Sequence, residues 1–108
     1  MDWAGALRTQ AIELTGAGAA FLVLEMVPAN LARELTQESS IPVIGIGAGA
    51  GCSGQVLVLH DMLGLHPETA PRFVRNFLTG GATIEGAVGQ YVKDVKEGRF
   101  PDDTLHSF

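Results

Sequence analysis

The chain has a single cysteine, Cys52, one tryptophan and one tyrosine in 108 residues. A lone thiol excludes an intrachain disulfide and suits a reducing compartment. Lysine and arginine together number 7 against 12 acidic residues, and the basic ones are scattered. Nucleic acid is a poor partner for such a surface, because neutralising phosphates needs clustered positive charge. The longest apolar runs fall well short of the ~20 residues a membrane helix requires. No basic-then-apolar segment opens the chain, so no signal peptide is expected. What remains is a cytoplasmic protein of at most one domain, residues 1–108.

Glycine is plentiful, with 14 residues, where an average chain carries roughly 7%. It gathers between Gly45 and Gly54 and at Gly80–Gly81, which marks loops with unusual backbone angles. Trp3, Leu7, Ala11 and Leu14 recur at helical steps and predict a helix over residues 3–15, stopped by Gly16 and Gly18. The run FLVLE, residues 21–25, is apolar until its last residue, as expected of a parallel strand covered on both faces. Pro28 then opens a second helix, with Leu31 and Leu35 on one face and Ser39–Ser40 at its end. Strands are expected near 42–47 (VIGIG) and 55–60 (QVLVLH). Helices are expected near 71–79, on the stripe Phe73, Val74, Phe77 and Leu78, and near 84–97. For the last, Thr83 is the N-cap and Gly98 the stop. The tail RFPDDTLHSF has no period and is expected to lie along a surface. There is no internal repeat.

Apolar strands alternating with helices indicate α/β packing over a parallel sheet. One connection resists this. Only seven residues separate Gly47 from Gln55, too few for an ordinary parallel crossover and too many for a tight hairpin. Spacing alone leaves both pairings open.

Glu25 raises the first functional question. A carboxylate ending a parallel strand stands where barrel enzymes place catalytic groups. Apolar neighbours would strip it of water and make it a better base near neutral pH. The competing reading is a strand-end glutamate paired with a lysine or a helix N-terminus. Gly49, Gly51 and Gly54 spell G-x-G-x-x-G, but a strand, not a helix, follows, so dinucleotide binding is not indicated. His60 and Asp61 end the third run and are candidates for pocket support. Neighbours on a strand point to opposite faces, so the two cannot address one ion. No further ligand stands at metal-binding spacing, and Cys52 reads as an inert thiol.

LVLEMVP, IPVIGIGAGAGCSGQVLVLHD, the PRFV–NF segment and the closing PDDTLHSF together resemble the C-terminal part of the ketopantoate hydroxymethyltransferase family. The resemblance spans nearly the whole chain. It implies a (β/α)8 TIM barrel of the phosphoenolpyruvate/pyruvate type, with the three strands as the sixth to eighth. It also implies that the second and third strands run parallel, with a short helical turn between them. The family glutamate of LVLE-x-VP, its catalytic acid/base, maps onto Glu25. The implied reaction moves a one-carbon unit from methylenetetrahydrofolate to 3-methyl-2-oxobutanoate, giving 2-dehydropantoate for pantothenate biosynthesis. The implied cofactor is Mg2+, whose ligands belong to the first half of the barrel, so none is expected in this chain. A full barrel runs to roughly 250 residues. The expectation is therefore a partial barrel, inactive alone, whose partner is a complementary N-terminal half or further copies of itself. A non-catalytic self-associating half-barrel is the alternative.

Overall fold

The computed structural model describes residues 3–65, 70–79 and 82–106. Along the chain come α1 (Trp3–Gly16), β1 (Leu22–Glu25), α2 (Ala29–Glu38), β2 (Val43–Ile46), β3 (Gly54–Gln55), α3 (Leu59–Met62) and α4 (Ile84–Lys96). The strands form one three-stranded sheet in the order β1-β2-β3, and both pairings are parallel. The architecture is thus α/β on a small parallel sheet. The open question of hairpin against crossover resolves to the crossover.

Strand alternation sets the two faces of the sheet. Leu22 and Leu24 pair in register with Val43 and Gly45, and Leu24 packs with Val27, Leu31, Ala32, Leu35 and Ala48 in one core cluster. Val23 and Glu25 pair with Ile44 and Ile46 on the opposite face. There Val23 is 56% exposed and Glu25 is exposed as well. The expectation of a strand covered on both sides is therefore corrected: helices cover one face of β1, and no described element covers the other.

The third apolar run also departs from its expected form. Pairing in β3 ends at Gln55, and one more ladder bond runs from the Val56 N–H to the Gly45 carbonyl. Beyond that the chain continues unpaired. Leu57 sinks into a second cluster with Met62, Leu63, Phe77, Ala87 and Phe100. His60 and Asp61 consequently lie on α3 rather than at a strand end.

Residues 71–79 do not form the expected helix. Phe73 and Phe77 are nonetheless buried, so the stripe identified the right apolar residues. The Phe77 N–H donates to the Met62 carbonyl at 2.7 Å, and Asn76 Oδ1 accepts from the Leu78 N–H at 2.8 Å. A side-chain acceptor competing locally for backbone donors is a recognised rival to helix formation. The expected stop at Gly80–Gly81 lies outside the described residues.

α4 begins as its cap predicts: Thr83 Oγ1 accepts from the Gly86 N–H at 3.0 Å. It ends in Lys93 and Lys96, with Gly98 just beyond at a φ of 75°. Its buried face carries Ala87 and, unexpectedly, Asp94, which is 2% exposed. Asp94 accepts from Gln90 at 2.7 Å, Arg75 at 2.8 Å and Arg99 at 3.0 Å. Burial alone would raise its pKa, but these donors outweigh burial and hold the carboxyl below its ordinary range. The tail is no mere surface strip either, because Phe100 and Pro101 are buried.

Candidate active site

Glu25 closes β1, opposite Ile46 at the end of β2. The ladder runs one residue further, with the Met26 N–H donating to the Ile46 carbonyl at 2.9 Å. Met26 then adopts a φ of 53°. A non-glycine residue in this region is uncommon, and the left-handed bend costs on the order of 1 kcal/mol. The bend turns the chain off the sheet, sends Val27 into the core and starts α2 after Pro28. The Glu25 carboxylate stays at the C-terminal edge of the open face, beside the apolar Val23, Ile44 and Ile46. It has no side-chain hydrogen bond or ion pair among the described residues, so the competing reading of a paired structural glutamate finds no partner here.

The loop after β2, residues 47–53, lies next to it. The expected helical turn is absent; the loop contains a turn at residues 50–51 and bends elsewhere. Gly47 and Gly49 have φ of 65° and 79°. A Cβ on Gly47 would lie 2.8 Å from the Phe73 ring, and one on Gly49 would lie 2.5 Å from Ala29 Cβ. Both positions therefore require glycine for conformation and for space. The loop backbone is tied down by side chains. Ser53 Oγ accepts from the Val43 N–H at 3.0 Å, and Gln55 Nε2 donates to the Gly49 carbonyl at 2.9 Å. The Ala50 N–H donates to Asp103 Oδ1 at 2.8 Å.

The remaining candidates are less central. Cys52, within the loop, is half-buried. Burial pushes its thiol up, a Thr36 hydrogen bond opposes this, and the Asp103 charge adds to the rise. A protonated thiol is a poor nucleophile. His60 is exposed and Asp61 half-buried, both on α3. No described contact joins either to Glu25. Among the described residues no group of three His, Cys, Asp or Glu could hold a metal ion. Clefts of about 260 and 400 Å3 lie between α1 and α2. None of the residues of α1 is fully buried, and neither cleft includes Glu25, His60 or Asp61.

Two residues escaped the sequence reading. Asp94 had a visible signal, since it stands seven positions after Ala87 and so on the same helical face. Asp103 had none, because its partners Ala50 and Arg33 are 53 and 70 positions away.

No helix of the described residues is long and apolar enough to cross a membrane. The family profile of ketopantoate hydroxymethyltransferase matches residues 2–103. A protein named 3-methyl-2-oxobutanoate hydroxymethyltransferase from Verminephrobacter eiseniae is 58% identical over 105 residues, covering 94% of this chain and 34% of its own length. One of the same name from Nitrosomonas eutropha is 59% identical over 100 residues, covering 93% of this chain and 37% of its own. Another, from Delftia acidovorans, is 55% identical over 108 residues, covering 99% and 37% respectively. The chain thus spans little more than a third of the length of these relatives. With the strand-end glutamate, the glycine-rich crossover and this match across nearly all its residues, the chain belongs to the ketopantoate hydroxymethyltransferase family.

Proposed function

We propose that this chain carries the acid/base residue of a cytoplasmic 3-methyl-2-oxobutanoate hydroxymethyltransferase, with its strands serving as the sixth to eighth of the barrel. In this reading Glu25 takes the proton from the carbon beside the ketone of 3-methyl-2-oxobutanoate. The enolate so formed adds to the one-carbon unit of methylenetetrahydrofolate. One water is consumed as the carbon's bonds to the folate nitrogens break, and its oxygen becomes the new hydroxyl. Tetrahydrofolate leaves, and the product, 2-dehydropantoate, enters pantothenate biosynthesis. The observation that carries the reading is the placement of Glu25. It ends a parallel strand on the uncovered face, among Val23, Ile44 and Ile46. Closing the barrel over that face would exclude water and sharpen a carboxylate as a base.

The described residues do not form a magnesium site, so none of them is assigned to that ion and no step of the reaction is routed through it. The chain alone is proposed to be inactive, and a complementary N-terminal half would complete the site. His60 and Asp61 are proposed as pocket support through the position of α3 just after β3. The test is exchange of the substrate's C3 proton into heavy water, in magnesium buffer, with and without that half. Exchange is expected only in the complemented protein and is expected to fall by about 10²–10⁴ in Glu25→Gln, the usual weight of a general base. Equal rates for the two proteins would remove Glu25 from the reaction.

A second reading, a self-associating module without chemistry, draws on the apolar surface. Ile84, Val88 and Val92 follow one another at four-residue steps along α4 and are all exposed. Sedimentation giving a folded monomer at high concentration argues against it.

A further inference from the structure

The loop between β2 and β3 has an unusual task. It joins two parallel neighbours with seven residues, 47–53, where such crossovers ordinarily need a dozen or more. It has no helix of its own to fix its course. Ser53 and Gln55 tie it to neighbouring backbone, but both belong to the same local segment. Asp103 is different, because it reaches the loop from the C-terminal tail. Its Oδ1 accepts from the Ala50 N–H at 2.8 Å, and its Oδ2 lies 3.4 Å from Arg33 Nη2 on α2. α2 is the helix entered directly from the turn after Glu25. One carboxylate therefore spans the two connections that leave adjacent strand ends, and Glu25 sits on one of them.

Of the two contacts the first is the stronger. A backbone N–H given to a carboxylate is a charge-assisted bond, whereas the exposed ion pair with Arg33 contributes little. The packing agrees with a fixed loop: a Cβ on Gly51 would lie 2.9 Å from Arg33 Cβ, and one on Gly49 would lie 3.0 Å from Asp103 Oδ1. The loop therefore lies close against both α2 and the Asp103 carboxylate.

We propose that Asp103 is a positioning residue: it holds the Gly49–Gly51 backbone against α2 and so fixes that loop relative to the strand end bearing Glu25. The inference rests on the reading of Glu25 as the base. Two variants and two measurements test it. Asp103→Ala removes the acceptor. Asp103→Asn keeps an oxygen for the Ala50 N–H but gives up the carboxylate charge, and with it the charge assistance of that bond and the pair with Arg33. Hydrogen exchange of the isolated chain is expected to accelerate at Ala50 by about tenfold in Asp103→Ala. It is expected to accelerate less in Asp103→Asn than in Asp103→Ala, with amides of α4 unchanged in both.

In the complemented enzyme, kcat for C3 proton exchange, counted per folded site, is expected to fall about ten- to hundredfold in Asp103→Ala, as misplacement of a reacting group does. KM should stay within about twofold, and the asparagine variant should recover most of kcat. An Ala50 amide as protected in Asp103→Ala as in the parent overturns the clamp. A loosened loop with kcat unchanged overturns the positioning role. A complemented parent that does not exchange at all refutes the reading of Glu25 instead, while the amide measurement still decides the clamp.

Discussion

Asp94 and Arg75 meet at 2.8 Å across 19 positions of sequence, and Arg99 reaches the same carboxylate at 3.0 Å from the other side. The carboxylate is buried while both guanidinium groups remain partly in solvent, so the arginines bring charge to Asp94 without being fully desolvated themselves. Arg75 also lies 4.3 Å over the Phe77 ring, which ties the ion pair to the cluster of Phe77, Tyr91 and Phe100. Asp94→Asn keeps the shape but surrenders the charge, and is expected to cost about 2 kcal/mol, the weight of hydrogen bonds to an ionised group. The folded carboxyl titrates below its unfolded value, near 3.9. Its stabilisation is therefore fully present above about pH 4 and is lost as pH falls through the lower folded value. Urea midpoints of parent and Asp94→Asn should differ at pH 7 and converge towards pH 2. A constant difference over that range would show that the charge is not what matters.

Glu25→Gln makes the opposite kind of prediction. The side chain is exposed and without a partner among the described residues, so its replacement is expected to change stability by less than about 0.5 kcal/mol. Thermal melts of the isolated chain should superimpose. A large loss of stability would mean that Glu25 has a structural partner, and would favour the paired-glutamate reading over the proposed base.

How far the residues alone foretold this picture depends on the range of the forces involved. The strand–helix–strand unit from Leu22 to Ile46 was legible because its signals are local: an apolar run, Pro28, and Leu31 with Leu35. The Thr83 cap was legible for the same reason. The pairing of β2 with β3 was not, because a seven-residue connection fits neither template, and its outcome depends on where Ser53, Gln55 and Asp103 find acceptors and donors. The apolar run after Gln55 looked like a strand but lacks a ladder partner, since β2 has already ended at Ile46. Glu25 does end the strand, where the apolar run stops. Its expected burial failed because apolar composition says that a face prefers cover, not that this chain supplies it.

The imidazole of His106 makes the fold sensitive to acid. The Asp102 N–H donates to its Nδ1 at 3.0 Å, a bond that needs an unprotonated nitrogen. Burial pushes the imidazole pKa down; Asp102 opposes this, and Arg75 and Arg72 reinforce it, leaving the value below the ordinary one. The folded chain therefore binds this proton less readily than the unfolded chain, whose histidine titrates near 6.5. The contribution is complete above about pH 6.5 and is lost as pH falls through the folded value. Melting temperature should drop between pH 7.5 and pH 5, and the slope should shrink in His106→Gln. An unchanged slope would assign the pH dependence elsewhere.

Two glycines offer a matched pair, because the same substitution should have opposite signs at each. At Gly49 the backbone φ is 79°, and a new Cβ would meet Ala29 Cβ at 2.5 Å and the α-carbon of Ala29 at 3.1 Å. The obstacle is the start of α2, which cannot swing aside as a flexible side chain could. Strain and collision together are expected to cost Gly49→Ala about 1–3 kcal/mol. Gly89 lies within α4, has ordinary helical geometry, and a Cβ there would find nothing within 4 Å. Replacing glycine in an unobstructed helix interior reduces the freedom of the unfolded chain, so Gly89→Ala is expected to gain about 0.5–1 kcal/mol. Denaturant midpoints of the two variants should fall on either side of the parent. If Gly49→Ala were as stable as the parent, the crossover could not be confined against α2 as the structure has it. The close approach that makes Asp103 a bridge between the two strand-end connections would be lost with it.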